Sequence, residues 1–172
     1  MKRRVFLIMF VILCACGKDE PATTASGSSS GCGTISGFSM TDVNGVSILP
    51  PDTDDWRTIE DWCPSVEQLF ADLPSVTYVD TALADPAVLG FPNPCSQMFA
   101  LWFGNDTTSM VDLRIVDQNS HLIYSSDSIT AQVITLPAQN LNVADGQLFR
   151  VYYRIVHPNG TAHRGHGDMM KE

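Results

Sequence analysis

LFRVYYRIVH, residues 148–157, alternates for longer than any other stretch of the chain. Phe149, Val151, Tyr153, Ile155 and His157 take one face; Leu148, Arg150, Tyr152, Arg154 and Val156 take the other. A period of two with arginines on the second face predicts a strand that has one side in a core and the other in water. Such half-wet strands belong to antiparallel sheets. The outward face, Arg150, Tyr152 and Arg154, is then a candidate ligand surface.

Runs of strand length recur around this stretch. They cover Gln97 to Phe103, Met110 to Val116, Leu122 to Tyr124, Ala131 to Leu136 and Thr161 to Met170. Turn signals separate them at Gly104-Asn105-Asp106, Asp117-Gln118-Asn119, Asp145-Gly146 and Pro158-Asn159-Gly160. In Met110 to Val116, Val111, Leu113 and Ile115 are expected to face inward, and Asp112 and Arg114 outward. Six short strands so spaced predict a mainly β fold, an immunoglobulin-like antiparallel β-sandwich over 91–172. The segment 35–90 is expected to be irregular, with one short helix at 64–73. There Val66, Leu69, Phe70 and Leu73 share a face, and Pro74 ends the helix.

The N-terminus reads as a targeting signal. Lys2, Arg3 and Arg4 precede the apolar run Val5 to Leu13, which is too short to span a bilayer as a helix. Leu13-Cys14-Ala15-Cys16 resembles a bacterial lipobox, which implies cleavage after residue 15 and palmitate-type acylation of Cys16. Residues 16–34, rich in Ala, Thr, Ser, Gly and Pro, are expected to be a flexible tether. Cys16-Gly17-Lys18-Asp19-Glu20 resembles the lipoprotein export signal of Bacteroidota, which implies display on the cell exterior. Removal of residues 1–15 leaves seven basic and nineteen acidic residues, a net charge of −12. A chain this acidic is a poor ligand for nucleic acid or anionic lipid, so membrane attachment is expected to come from the lipid on Cys16. With Cys16 acylated, one internal disulfide is possible. Cys63 with Cys95 is the favoured pair, and three unpaired thiols are the alternative.

From residue 91 the chain resembles the type IX secretion C-terminal sorting domain. The resemblance rests on Phe91-Pro92-Asn93-Pro94, Val111-Asp112-Leu113-Arg114-Ile115-Val116-Asp117, Ile134 with Leu136, Leu141 with Gly146, Phe149-Arg150-Val151 and the ending near Lys171. It implies an immunoglobulin-like sandwich of about seven strands and, as an alternative function, a sorting module. The chain departs from that family in its lipobox and in Gly165-His166-Gly167-Asp168 within the last strand.

Candidates for chemistry are few. His163, His166 and Asp168, with His157, form the densest group of metal-ligand types and support a weak metal-dependent-enzyme alternative. A two-residue turn at Asn159-Gly160 would pair His157 with Ala162 and His163 with Val156, which sets the two histidines on opposite faces. Asp52, Asp54, Asp55, Glu60 and Asp61 surround Trp56 and Trp62 without EF-hand spacing. Those tryptophans are expected to pack the N-terminal segment onto the sandwich. The strand reading brings no Ser, His and Asp set together, and no Gly-rich phosphate loop occurs. The expectation is a surface-displayed outer-membrane lipoprotein with no cofactor and no catalysis, acting in binding or envelope structure through a protein or glycan ligand.

Overall fold

The computed structural model describes residues 33–58, 61–79, 88–105 and 107–172. The lipobox, Cys16 and Cys32 lie outside them. The chain forms a two-layer β-sandwich of the immunoglobulin-like kind. Its elements are β1 (Arg57–Thr58), α1 (Pro64–Leu69), β2 (Thr77–Tyr78), β3 (Val88–Phe91), β4 (Met98–Phe103), β5 (Met110–Asp117), β6 (Leu122–Ile129), β7 (Val133–Pro137), a 3₁₀ turn (Ala138–Asn140), β8 (Leu148–Val156) and β9 (Thr161–Met170). The larger sheet runs β1-β9-β8-β5-β6, with β2 also on β9; the smaller runs β3-β4-β7. Every pair is antiparallel except β2 with β9.

The inner faces meet in one core. Phe99, Leu101 and Phe103 of β4 face Val111, Leu113, Ile115, Phe149, Val151, Tyr153 and Ile155 of the large sheet, all buried. The alternation of residues 148–157 therefore assigns the inner face correctly. Glycines on this face have a packing reason. A Cβ on Gly167 would come within 2.2 Å of the Trp56 ring, and one on Gly90 within 2.4 Å of it. Trp56 thus occupies space that side chains at both positions would claim, closing the sandwich between β3 and β9. That accounts for Gly167 in the last strand; a Cβ on Gly165 would instead meet the Arg57 carbonyl oxygen and the Tyr153 ring.

Two expectations need correction. The helix ends at Leu69, not at residue 73, because Phe70 leaves the helical region at φ −112° and ψ 9°. Residues 70–73 continue as turns, with Leu73 N–H donating to the Phe70 carbonyl at 3.1 Å. The second correction is of register. The β8–β9 loop has three residues, Pro158-Asn159-Gly160, and is closed by Gly160 N–H to the His157 carbonyl at 2.9 Å and His157 N–H to the Thr161 carbonyl at 2.8 Å. Pro158 supplies the fixed φ of a type I turn, and Gly160 at φ 83° completes the bulge of a three-residue hairpin. Ile155 therefore pairs with His163 and Val156 with Ala162. A slip of one residue exchanges faces.

Candidate functional site

The sheet face expected to be wet is buried. Arg114, Arg150, Arg154 and Arg164 are each 6% exposed or less, as are Tyr152, His166, Asp112 and Asp168. Register sets these groups in rows across β5, β8 and β9. Asp112 lies beside Arg154 and Arg164, Arg114 beside Tyr152 and His166, and Val116 beside Arg150 and Asp168. The arginines do not face water because each has a carboxylate partner. Arg150 grips Asp168 with two bonds of 2.6 and 2.7 Å, and Arg154 donates twice to Asp112 at 2.9 and 2.8 Å. Arg114 pairs with Asp127, and Arg164 with Asp61 at 2.7 Å.

The cover over this face is the segment that precedes the sandwich. Trp62, Val66 and Phe70 form a second apolar cluster with Val116 and Tyr152, and the Trp62 and Phe70 rings stack at 4.5 Å. Each arginine also holds the cover. Arg150 donates to the Gly33 carbonyl (3.2 Å), Arg114 to that of Leu69 (2.7 Å) and Arg154 to that of Pro74 (3.1 Å), while Arg164 reaches Asp61 and lies 4.1 Å from the centre of the Tyr78 ring. Arg150, Tyr152 and Arg154 are therefore not a ligand face but the fastening of residues 33–79 to the sheet. Ion pairs buried with their lone pairs satisfied hold such a layer in place.

Electrostatics follow from that burial. Burial pushes the Asp168 carboxyl above its ordinary value and the Arg150 guanidinium opposes it. Burial likewise works against Arg150, yet its bonds to Asp168 hold it above its usual value. The forked geometry, with N–H donors on both carboxylate oxygens, is that of a charged pair. Asp55 accepts N–H bonds from Ser39 and Asp168, and burial raises it to about 6. Burial lowers His166 to about 3, reinforced by Arg150 and Arg57, so it sits neutral.

The proposed disulfide pair is not formed. Cys95 is a free thiol at 0% exposure in the main core, where burial raises it to about 11, a small hydrophobe with no nucleophilic character. Cys63 is disulfide-bonded, with its partner outside the described residues. The metal candidates also separate. His163 lies on the inner face of β9, and His166 and Asp168 on the covered face, where Asp168 is taken by Arg150. Among the described residues no group of three or more His, Cys, Asp or Glu is arranged to hold a metal. Asn93 of Pro92-Asn93-Pro94, between two cis peptide bonds, is fully buried. Its amide donates to the carbonyls of Ser39 and Asp168 at 2.9 Å each and accepts from Met170 N–H at 3.0 Å. Packing thus accounts for the motif: Asn93 joins the N-terminal segment, β3 and β9.

The apolar surface that the described residues leave exposed is on the other sheet. The outer faces of β3, β4 and β7 carry Leu89, Phe91, Met98, Ala100, Trp102, Val133, Thr135 and Pro137, of which only Thr135 is polar. Met98, Trp102 and Val133 are 52, 38 and 48% exposed. A turn continues the patch. Thr41 pairs with both Ser47 and Asn93, and Gly45, at φ 77°, lies against Leu89 and Phe91. Val43 and Val46, on either side of Gly45, are 72 and 61% exposed. Sequence reasoning missed this face, although Met98 to Phe103 is apolar at every position, the pattern of a strand covered on both sides.

No family model matches the chain, and no curated protein matches it. Among solved structures it is similar to a DUF3244-family protein with an immunoglobulin-like β-sandwich fold from Bacteroides vulgatus, at 16% identity and TM-score 0.34, over 49% of this chain and 83% of that one. It is also similar to CopC from Methylosinus trichosporium, at 17% identity and TM-score 0.33, over 58% and 86%. The class is set by the two packed antiparallel sheets: an immunoglobulin-like β-sandwich protein.

Proposed function

We propose that this protein is a non-catalytic binding module, displayed at the outer membrane by a lipid on Cys16, that engages a protein partner through the outer face of β3, β4 and β7. The observation that supports this is the apolar patch of Met98, Trp102 and Val133 with Val43 and Val46, which the described residues leave exposed. Contiguous apolar surface of this kind marks interaction sites, and aromatic residues and methionine are enriched in them. The partner is a protein, not a glycan, because sugar binding needs hydrogen-bonding groups beside the stacking ring, and Trp102 has Leu89 and Val133 as its cross-strand neighbours. The net charge of −12 that removal of residues 1–15 leaves favours a basic rim on that partner through electrostatic steering. The folded body and the anchor have separate tasks: the lipid retains the module, and the sheet face selects what it holds.

Two measurements test the reading. Labelled fatty acid fed to the native host is expected in the mature protein and absent from Cys16→Ala; label that persists in the variant contradicts the anchor. Protease added to intact cells is expected to digest the sandwich, and full protection contradicts outward display.

A further inference from the structure

Cys63 stands at the start of α1, where its carbonyl accepts the N–H groups of Val66 and Glu67 at 3.0 Å each. It is disulfide-bonded, and Cys95, the other described cysteine, is a free thiol. The chain has five cysteines, so the partner is Cys14, Cys16 or Cys32. Cys14 lies ahead of the cleavage point and Cys16 carries the lipid in the anchor proposed above, which leaves Cys32. A second observation points the same way without that reading. Gly33, one peptide unit from Cys32, lies in the wall of a cavity of about 90 Å³ together with Ser65 and Val66, the second and third residues after Cys63. Arg150 holds Gly33 there through its carbonyl at 3.2 Å. One peptide unit covers about 3.8 Å, and the Cα atoms of a disulfide stand about 4.4–6.8 Å apart, so the two cysteines are within bonding reach.

We propose that Cys32 and Cys63 form a disulfide clasp that closes the chain 32–63 into a loop and fastens residues 33–56 at the end where the tether pulls. Among the described residues, that segment pairs its backbone with the strands at one isolated bridge, Thr41 with Asn93, and not through a ladder. It nonetheless carries Val43 and Val46 of the apolar patch, and Trp56, which fills the space beside Gly90 and Gly167. Tension entering at Gly33 would peel it from one end. With the clasp, tension enters at Cys63 instead, beside Trp62, Val66 and Phe70, which are buried with Val116 and Tyr152. Formation of the bond takes one hydrogen from each thiol and joins Sγ to Sγ. The two electrons pass by exchange to a protein disulfide of the export compartment, which is reduced to its dithiol. Closing a loop of this length also restricts the unfolded chain and so favours the folded cover.

The test takes the mature protein from the native host, alkylates free thiols in denaturant without reductant, and cuts the chain with trypsin and then at acidic residues. Cleavage at Glu67 or Asp72 parts Cys63 from Cys95. The Cys32 and Cys63 peptides are expected as one linked species that reductant separates, with Cys95 alkylated. Alkylated Cys32 or Cys63, Cys63 joined to Cys95, or Cys63 joined to a second copy of the chain overturns the clasp. A Cys16–Cys63 link overturns the clasp and the anchor together, whereas a Cys32–Cys63 link in a chain without fatty acid supports the clasp and overturns the anchor alone. In the whole chain, Cys32→Ser is expected to open Cys63 to alkylation, to raise the unfolding equilibrium constant tenfold or more, and to speed protease cleavage within 33–56. Cleavage and stability equal to those of the disulfide-bonded parent contradict the fastening role.

Discussion

Arg150 and Asp168 stand directly opposite each other on β8 and β9, and Arg150 donates two parallel N–H···O bonds of 2.6 and 2.7 Å to the Asp168 carboxylate, both side chains 8% exposed or less. Removal of one partner leaves an uncompensated buried charge. Arg150→Met or Asp168→Leu alone should cost about 3–5 kcal/mol in urea unfolding, whereas the double variant should recover most of that loss. Additive losses in the double variant would show that the pair does not act as a unit.

Two buried groups give opposite pH dependences. Asp55 has its folded value raised from 3.8 to about 6, so the folded state binds the extra proton between those values and stability from this group falls as pH rises from 4 to 6. His166 has its folded value lowered from 6.5 to about 3, so the unfolded state binds the extra proton and stability from this group falls as pH drops from 6.5 toward 3. Chemical denaturation between pH 4 and 6.5 should show that His166→Gln gains relative to the parent toward acid and Asp55→Asn loses relative to it. Parallel profiles for parent and variants would contradict both assignments.

The β5–β6 loop repeats the geometry of the β8–β9 loop with a poorer residue. Ser120 sits at φ 64° where Gly160 sits at φ 83°, and Asp117 ties that loop through N–H bonds from Asn119 and His121, both at 2.8 Å. Left-handed backbone costs a non-glycine residue about 1–2 kcal/mol. Ser120→Gly should therefore raise the melting temperature by a few degrees, and Gly160→Ala should lower it by a comparable amount.

The Trp56 ring depends on the missing side chains beneath it. Gly167→Ala should displace the indole, lower stability and shift Trp fluorescence to the red. Paired with Trp56→Ala, it should add little further loss, since the ring it clashes with is gone. Full additivity would contradict the packing described.

What was legible in the sequence was the strand set. Alternation located β4, β5, β8 and β9 within a residue or two, and it assigned Val151, Tyr153 and Leu113 to the core. The fate of the opposite face was hidden because polar residues that neutralise one another look like polar residues in water. Asp112 and Arg154 are 42 positions apart, so their pairing exists only once β5 lies beside β8. The histidines were misplaced through Pro158, which adds a residue to the loop and shifts the register by one. The exposed apolar face had a readable signal in the unbroken run Met98 to Phe103, which marks two apolar faces; only the fold shows that the described residues leave one of them exposed.

The outer face of β3, β4 and β7 is proposed to hold another protein. A photo-crosslinking amino acid in place of Val133, compared with one in place of Ser126 on the edge strand β6, tests it on intact native-host cells. A discrete adduct with a different protein is expected from position 133, none from position 126, and loss of the 133 adduct when Trp102→Asp is added. An adduct with lipid or a second copy of this chain, equal yield from both positions, or no adduct at 133 would contradict it.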